Sequence, residues 1–331
     1  MMGIGLPRPF VIPEQLGISK QETVKLFTTL DDDELPIEFA RLRLLTFNAS
    51  ANKPIKIRLL RSDDRHHSNH GWLNSHASLS YADRLSIKSS EFSTLCVVNE
   101  DLVAPKSGFP EHPHAEFEIF SYIISGELTH RDSTLDSMNG GQYGESIIMR
   151  RGDIQFTTAG TGLTHSETNE HPTDITQFLQ IWVKPWKSQL QPRYHTRHFD
   201  DDTKRRGFVT ILSPLKAGPE GGPKDETQSD PLVPGTIPIH ADFFMAAGIV
   251  KHKGTLSWKV GASSRLSTKR NLFIHIPLHS GSEAKIRFDS GEELNLREGD
   301  GVFVEDIEAG SGVYVEGVSL VETELVVLDL A

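Results

Sequence analysis

From Ile55 onward, apolar and polar residues alternate over short runs and do not recur at helical spacing. Ile55-Lys56-Ile57-Arg58-Leu59 alternates strictly, while Thr94 to Val98, Phe117 to Ile124, Ser146 to Met149 and Phe178 to Val183 are rich in β-branched and aromatic residues. Turn signals separate them: Ser125-Gly126, Asn139-Gly140-Gly141, Arg151-Gly152-Asp153 and Gly160-Thr161-Gly162. Runs of this length, bounded in this way, predict strands. The texture returns at Phe243 to Val250, Leu256 to Val260, Leu272 to Ile276, Gly301 to Val304 and Glu324 to Leu330. The expectation is an all-β fold, sandwich or barrel.

Two stretches break the pattern. Residues 214–236 carry Pro214, Pro219, Gly221-Gly222-Pro223, Asp230-Pro231 and Pro234-Gly235, the composition of a long loop or linker. In residues 1–50, Gln21 to Arg43 has room for a short helix, but Asp31-Asp32-Asp33 and Pro36 interrupt it. The expected layout is an N-terminal extension (1–50), a first β-domain (51–213), a linker (214–236) and a second β-domain (237–331). One phrase recurs between the halves: Met149-Arg150-Arg151-Gly152-Asp153-Ile154 is echoed by Leu296-Arg297-Glu298-Gly299-Asp300-Gly301. Both read as a turn with glycine at a permissive backbone position, which suggests two similar β-domains in tandem.

Composition narrows the function classes. The 331 residues suffice for about two domains, and 37% hydrophobic with 24% charged residues is ordinary for a water-soluble globular protein. No apolar run approaches the ~20 residues of a membrane helix, and the first residues lack the charged and apolar regions of a secretory signal. The net charge of −11 argues against direct nucleic-acid or acidic-membrane binding. The short basic cluster Lys204-Arg205-Arg206 follows three aspartates and reads as a solvated turn. The single cysteine, Cys96, flanked by Leu95 and Val97, reads as a buried strand residue and fits a reducing compartment.

The chemistry concentrates in two pairs, His112-Pro113-His114 and His165-Ser166-Glu167. In a strand, i and i+2 side chains share a face roughly 6.6 Å apart, so two neighbouring strands can aim three imidazoles and a carboxylate at one point. Such a donor set suits iron, copper, nickel, manganese or zinc rather than calcium or magnesium. Taken singly, each pair is also a common surface-strand pattern. Glu116 and Glu118 share the parity of His112 and His114, and Glu167 that of His165, so spacing alone leaves the carboxylate ligand open. His66, His67, His70 and His76 form a second dense tract, read as structural, and His130-Arg131-Asp132 reads as a charge cluster at a hairpin end. His240, His252, His275 and His279 form no such pair, so the second domain is expected to lack metal ligands. Trp182, Trp186 and Trp258 read as core aromatics.

The glycines around the two pairs give the layout of the two cupin motifs: His-x-His with Glu118 four residues on, a closing Gly126, then Thr158 to Gly162 before His165, with Asn169 four residues later. From Arg58 to Asp200 the chain resembles the pirin family more specifically. The phrases are Asn69-His70-Gly71-Trp72-Leu73, Gly108-Phe109-Pro110-Glu111-His112-Pro113-His114, Glu118 to Tyr122 and Gly126 to Ser133. They continue with Gly152 to Gln155, Thr158 to Gly162, His165-Ser166-Glu167 and Pro192-Arg193-Tyr194. The resemblance implies two tandem cupin-type β-barrels or jelly rolls, a bicupin, with His112, His114, His165 and Glu167 as metal ligands and Glu118 in a supporting role. It departs from the family at one point: Ala115 stands where pirins usually carry arginine.

What the resemblance implies for function is a quercetin 2,3-dioxygenase type of activity, opening a flavonol-like ring with O2. Iron is the preferred metal, with copper, nickel, manganese and zinc as alternatives. A metal with open positions would bind the substrate's hydroxyl and neighbouring carbonyl, and Glu167 is the candidate catalytic group to accept the hydroxyl proton. The alternative is a non-enzymatic, iron-dependent nuclear cofactor that binds a transcription factor. The expected location is cytoplasmic, nuclear or both.

Overall fold

The computed structural model describes residues 55–79, 92–138, 146–219, 230–261 and 267–331. The extension 1–50, the Asn139-Gly140-Gly141 turn and residues 220–229 of the expected linker lie outside the described residues.

The short alternating runs form strands throughout. The N-terminal half supplies β1 (Lys56–Leu60), β2 (His66–Asn69), β3 (Leu73–Leu79), β4 (Leu95–Val103), β5 (Ser107–His114) and β6 (Glu118–Ser125). It continues with β7 (Glu127–Asp132), β8 (Ile147–Arg150), β9 (Asp153–Thr158), β10 (Leu163–Asn169), β11 (Thr176–Val183) and β12 (Arg193–His198). The C-terminal half adds β13 (Val209–Pro214), β14 (Ile237–Ile239), β15 (Phe243–Val250), β16 (Thr255–Lys259) and β17 (Lys269–His275). Its last strands are β18 (Glu283–Phe288), β19 (Glu293–Arg297), β20 (Gly301–Glu308), β21 (Gly312–Gly317) and β22 (Thr323–Leu330). Among the described residues the helices are α1 (Ser133–Met138), α2 (Asp201–Arg206) and a 3-10 turn (Ser62–Asp64), and none is long and apolar enough to cross a membrane.

The strands build the same two-layer lobe twice. In the first, a seven-stranded sheet ordered β12-β9-β6-β11-β4-β3-β2 is accompanied by a four-stranded sheet ordered β5-β10-β7-β8. In the second, the sheets are β1-β20-β17-β22-β15-β13-β14 and β16-β21-β18-β19. Sequence segment and lobe do not coincide at the edges. β1 pairs with β20 from Lys56↔Glu305 to Leu60↔Gly301, and β13 pairs with β15, so residues 51–213 lend their first and last strands to the second lobe.

The recurring Arg-x-Gly-Asp phrase marks one turn used in both lobes, entering β9 and β20. Gly152 (φ 83°) and Gly299 (φ 76°) hold the left-handed conformation that only glycine adopts cheaply. In each, the aspartate that follows accepts from a backbone N–H three residues back: Asp153 from Arg150 at 2.7 Å, Asp300 from Arg297 at 3.0 Å.

The two large sheets share one apolar layer. It joins Phe120, Tyr122, Ile154, Phe156, Leu179 and Ile181 of the first lobe to Phe243, Met245, Phe273, Phe303, Val326 and Leu328 of the second. Phe120 meets Phe243 at 5.9 Å between centroids, and Phe92 meets Phe303 at 4.8 Å. Each fully buried Phe of this kind contributes about 1.5–3 kcal/mol. Period-two alternation then turns the intervening residues inward, Ser121, Gln155, Thr157 and Gln180 among them. Polar groups also cross between the lobes. Glu118 accepts from the backbone N–H of His240 (2.9 Å) and from its Nδ1–H (2.7 Å), and Arg65 pairs with buried Glu100 (2.8 Å), which also meets His275 Nε2 (3.2 Å).

Candidate metal centre

The site is built on the small sheet of the first lobe, where β5 lies at the edge beside β10. That edge position explains how β5 tolerates Pro110 and Pro113, since neither can donate to a second neighbour. In the β5–β10 pair, His165 stands opposite His112, Thr164 opposite Pro113 and Leu163 opposite His114. Register shifts between His165 and Glu167, so that Glu167 faces Phe109. Gly108 completes the approach of the strands: a Cβ there would stand 2.3 Å from the Glu167 carbonyl oxygen.

Three predicted ligands converge. Ring nitrogens of His112, His114 and His165 lie within 4.8 Å of one another, and His112 Nε2 is 3.1 Å from His165 Nε2. Two imidazoles bound to one ion at about 2.0–2.1 Å place their nitrogens roughly 2.9–3.4 Å apart at octahedral or tetrahedral angles, so this spacing fits a first-row metal. The protonation state fits as well. Burial, reinforced by neighbouring imidazoles, pushes His165 down to about 2 and His114 down to about 4, which keeps both rings neutral with lone pairs to offer. His165 is buried, whereas His112 and His114 are half-buried and form the open side.

The carboxylate question resolves differently. Glu116 and Glu118 do not share the histidines' face, because β5 ends at His114 and the chain crosses to the other sheet before β6. Glu116, in left-handed backbone (φ 65°), accepts from Gln189, and Glu118 is the lobe-to-lobe group described above. Glu167 is fully buried close behind the histidines, but it stands outside the group of three converging residues. Its Oε1 accepts from Ser121 Oγ at 2.7 Å and its Oε2 from Gln180 Nε2 at 2.6 Å. Burial raises its pKa, opposed by these two hydrogen bonds and by His112. Each carboxylate oxygen of Glu167 thus accepts one hydrogen bond and keeps a second lone pair for a metal or a proton.

Two residues were misread in sequence. His130 is no hairpin-end surface charge: it is fully buried, its Nε2 lies 3.0 Å from His165 Nδ1, and burial pushes it down to about 3. His130, Asp132 and His165 form a second close group, all buried. The i, i+2 rule that singled out His112–His114 applies equally to His130–Asp132 and would have flagged them. Trp182 is not only a core aromatic. Its ring stands edge-on to His114 at 4.9 Å and tilted against Phe117 at 5.6 Å, walling one side of the centre. Elsewhere, His67 and His76 stack at 4.5 Å on the β2–β3 pair, and Asn169 is structural, donating to Val103 O and Asp174 O.

Comparison with known proteins agrees with this architecture. A family model described as Pirin matches residues 60–183. Quercetin 2,3-dioxygenase of Escherichia coli (strain K12) is 35% identical over 158 residues, 48% of this chain and 63% of that enzyme. The chain thus spans less than two thirds of that relative's length. A pirin-like protein of Caulobacter vibrioides is 28% identical over 264 residues, 80% of this chain and 95% of that one. Among solved structures, the bacterial pirin YhhW of Escherichia coli in complex with nickel(II) superimposes with a TM-score of 0.63 at 24% identity, covering 83% of this chain and 99% of that one. At that identity the likeness concerns the fold.

Proposed function

We propose, from the match of residues 60–183 to the pirin family, that the chain is a metal-dependent dioxygenase of the quercetin 2,3-dioxygenase type, acting on a flavonol-like substrate with O2. The observation that carries the reading is the convergence of three imidazoles, His114 and His165 held neutral by burial, beside a buried carboxylate whose pKa is raised. His112, His114 and His165 would hold the metal, with Glu167 as the further ligand that family resemblance assigns, and iron is the preferred ion. When bound, the metal supplies a Lewis acid with open positions for hydroxyl and carbonyl oxygens.

The chain's own groups do the rest. Trp182 and Phe117 give an aromatic substrate a flat apolar wall next to His114. Glu167 accepts the substrate's hydroxyl proton: a carboxylate with a raised pKa is a stronger base than an exposed one. Ser121 and Gln180, one on each oxygen, steady the charged form before that transfer and leave a lone pair on each to take the proton.

The test is metal analysis of the purified protein together with quercetin absorbance followed under oxygen, for wild type, His165→Ala and Glu167→Gln. Loss of metal in His165→Ala, and retained metal with turnover reduced about 10²–10⁴-fold in Glu167→Gln, is the expected pattern. A fully loaded wild type that leaves quercetin untouched in oxygen would remove the dioxygenase reading and leave the metal site standing.

A further inference from the structure

We propose that His130 is a positioning residue: by accepting the Nδ1–H of His165 it sets that ring's tautomer and turns the Nε2 lone pair toward the metal. The inference rests on the metal reading above and concerns a residue that touches neither metal nor substrate.

The proton positions follow from one carbonyl. His112 Nδ1 lies 2.7 Å from the Pro110 carbonyl oxygen, which can only accept, so His112 carries its proton on Nδ1 and its Nε2 is a lone pair. When no metal is bound, a hydrogen bond across the 3.1 Å between the two Nε2 atoms places the proton on His165 Nε2. A neutral His165 so protonated has a bare Nδ1, which accepts from His130 Nε2–H across 3.0 Å. The metal-free chain runs in one direction, His130 to His165 to His112 to Pro110.

Ligation demands the opposite tautomer of His165. Its Nε2 must give up the proton, and its Nδ1 must carry one. The hydrogen-bond partner of that Nδ1 is His130 Nε2, which must therefore become the acceptor. The balance closes without a change of charge. The His165 Nε2 proton leaves to solvent on the open side at His112 and His114, and the His130 Nε2 proton passes to His165 Nδ1. Solvent returns one proton to His130 Nδ1 when the buried site transiently opens. That nitrogen is buried with no hydrogen-bond partner among the described residues, so the proton it takes is unsatisfied, a cost that ligation of the metal by His165 must offset. His130 is fully buried, packed between His165 (4.9 Å between centroids) and Tyr194 (5.2 Å), so bulk water is excluded from its place. Outer partners of this kind orient a ligating imidazole and raise its basicity.

Zinc(II), being diamagnetic, is the probe. Long-range ¹H–¹⁵N correlation spectra of the full chain should show His165 protonated at Nε2 without zinc and at Nδ1 with it, and His130 moving from Nε2–H to Nδ1–H. In competition titrations against a chelator, His130→Phe should lose about 10–100-fold in zinc affinity, whereas His130→Gln, whose Oε1 can accept from Nδ1–H, should recover most of the loss. Three results would overturn the proposal: a folded His130→Phe that binds zinc like wild type, a loaded His165 without a proton on Nδ1, or a second zinc per chain at His130 and Asp132. Should His130→Phe not fold, the wild-type spectra decide alone. A wild type that takes up no zinc, nickel or iron defeats the metal reading itself, an outcome distinct from equal binding by wild type and variant.

Discussion

The two lobes share one plan and fill it with opposite materials. β5-β10-β7-β8 in the first corresponds to β16-β21-β18-β19 in the second, strand for strand. On β10 the buried positions are Leu163, His165, Glu167 and Asn169; on β21 they are Val313, Val315 and Gly317. β7 buries His130 and Asp132, while β18 buries Ala284, Ile286 and Phe288. The second lobe consequently packs its interior with a continuous apolar cluster, from Leu256 and Leu272 through Ile286 and Phe288 to Val327. The first retains a smaller one, Leu73, Val103, Ile123, Leu128, Met149 and Phe178. One lobe trades apolar burial for a polar centre, and the other supplies a solid body for it to pack against.

Several experiments would break or sharpen that contrast. The largest effect is expected from His165→Ala, which should abolish stoichiometric metal, a loss beyond the roughly 10–100-fold typical of outer partners. Metal analysis reads it directly, and Val315→Ala on the matching strand should leave metal content unchanged. Next, Phe288→Ala in the second lobe should cost about 3–5 kcal/mol of stability in urea unfolding, with metal content per folded chain preserved. Metal loss there would show that the lobes are not separable in this way.

Acid should act mainly on the first lobe. In metal-free protein, burial pushes His165, His114 and His130 down to about 2, 4 and 3 from the ordinary 6.5 they keep in the unfolded chain, so the unfolded chain takes up their protons first. Their contribution is complete above pH 6.5 and falls as the pH drops toward 4. Asp101, pushed up to about 7 by burial, works in the opposite sense, losing stability as the pH rises from 3.8 to about 7. Glu167, also raised by burial, acts like Asp101, while burial lowers His76, His195 and His275 as well, so the lowered histidines outweigh the two raised carboxylates and stability falls on acidification. Melting temperatures between pH 7 and 4 check the sign, and an increase on acidification would contradict it. The smallest effect is expected from Ala115→Arg, at an exposed position: a change in metal affinity within about 3-fold, because an exposed charge is well screened.

Much of this was legible beforehand, for local reasons. Alternation announced the strands, the repeated Arg-x-Gly-Asp turn announced the duplicated lobe, and two i, i+2 pairs announced three of the converging imidazoles. Parity failed where the chain left its strand. Between His114 and Glu118 the backbone passes through Glu116 in left-handed conformation and changes sheets, which sends Glu118 to His240 and not to the histidines. It also missed His130, because a His-x-Asp pair around Arg131 looks like a charge cluster until β10 is laid beside β7.

The sequence by itself determined the fold class, the tandem lobes, the family likeness and the residues able to offer nitrogen lone pairs, since each depends on residue type and short spacing. Only the tertiary structure decided which groups meet. It placed β1 in the second lobe, tied Glu167 to Ser121 and Gln180, set Trp182 against His114 and put His130 behind His165. Those contacts join residues far apart in the chain across neighbouring strands and facing sheets, and period-two patterning says which face a side chain takes but not which partner waits there.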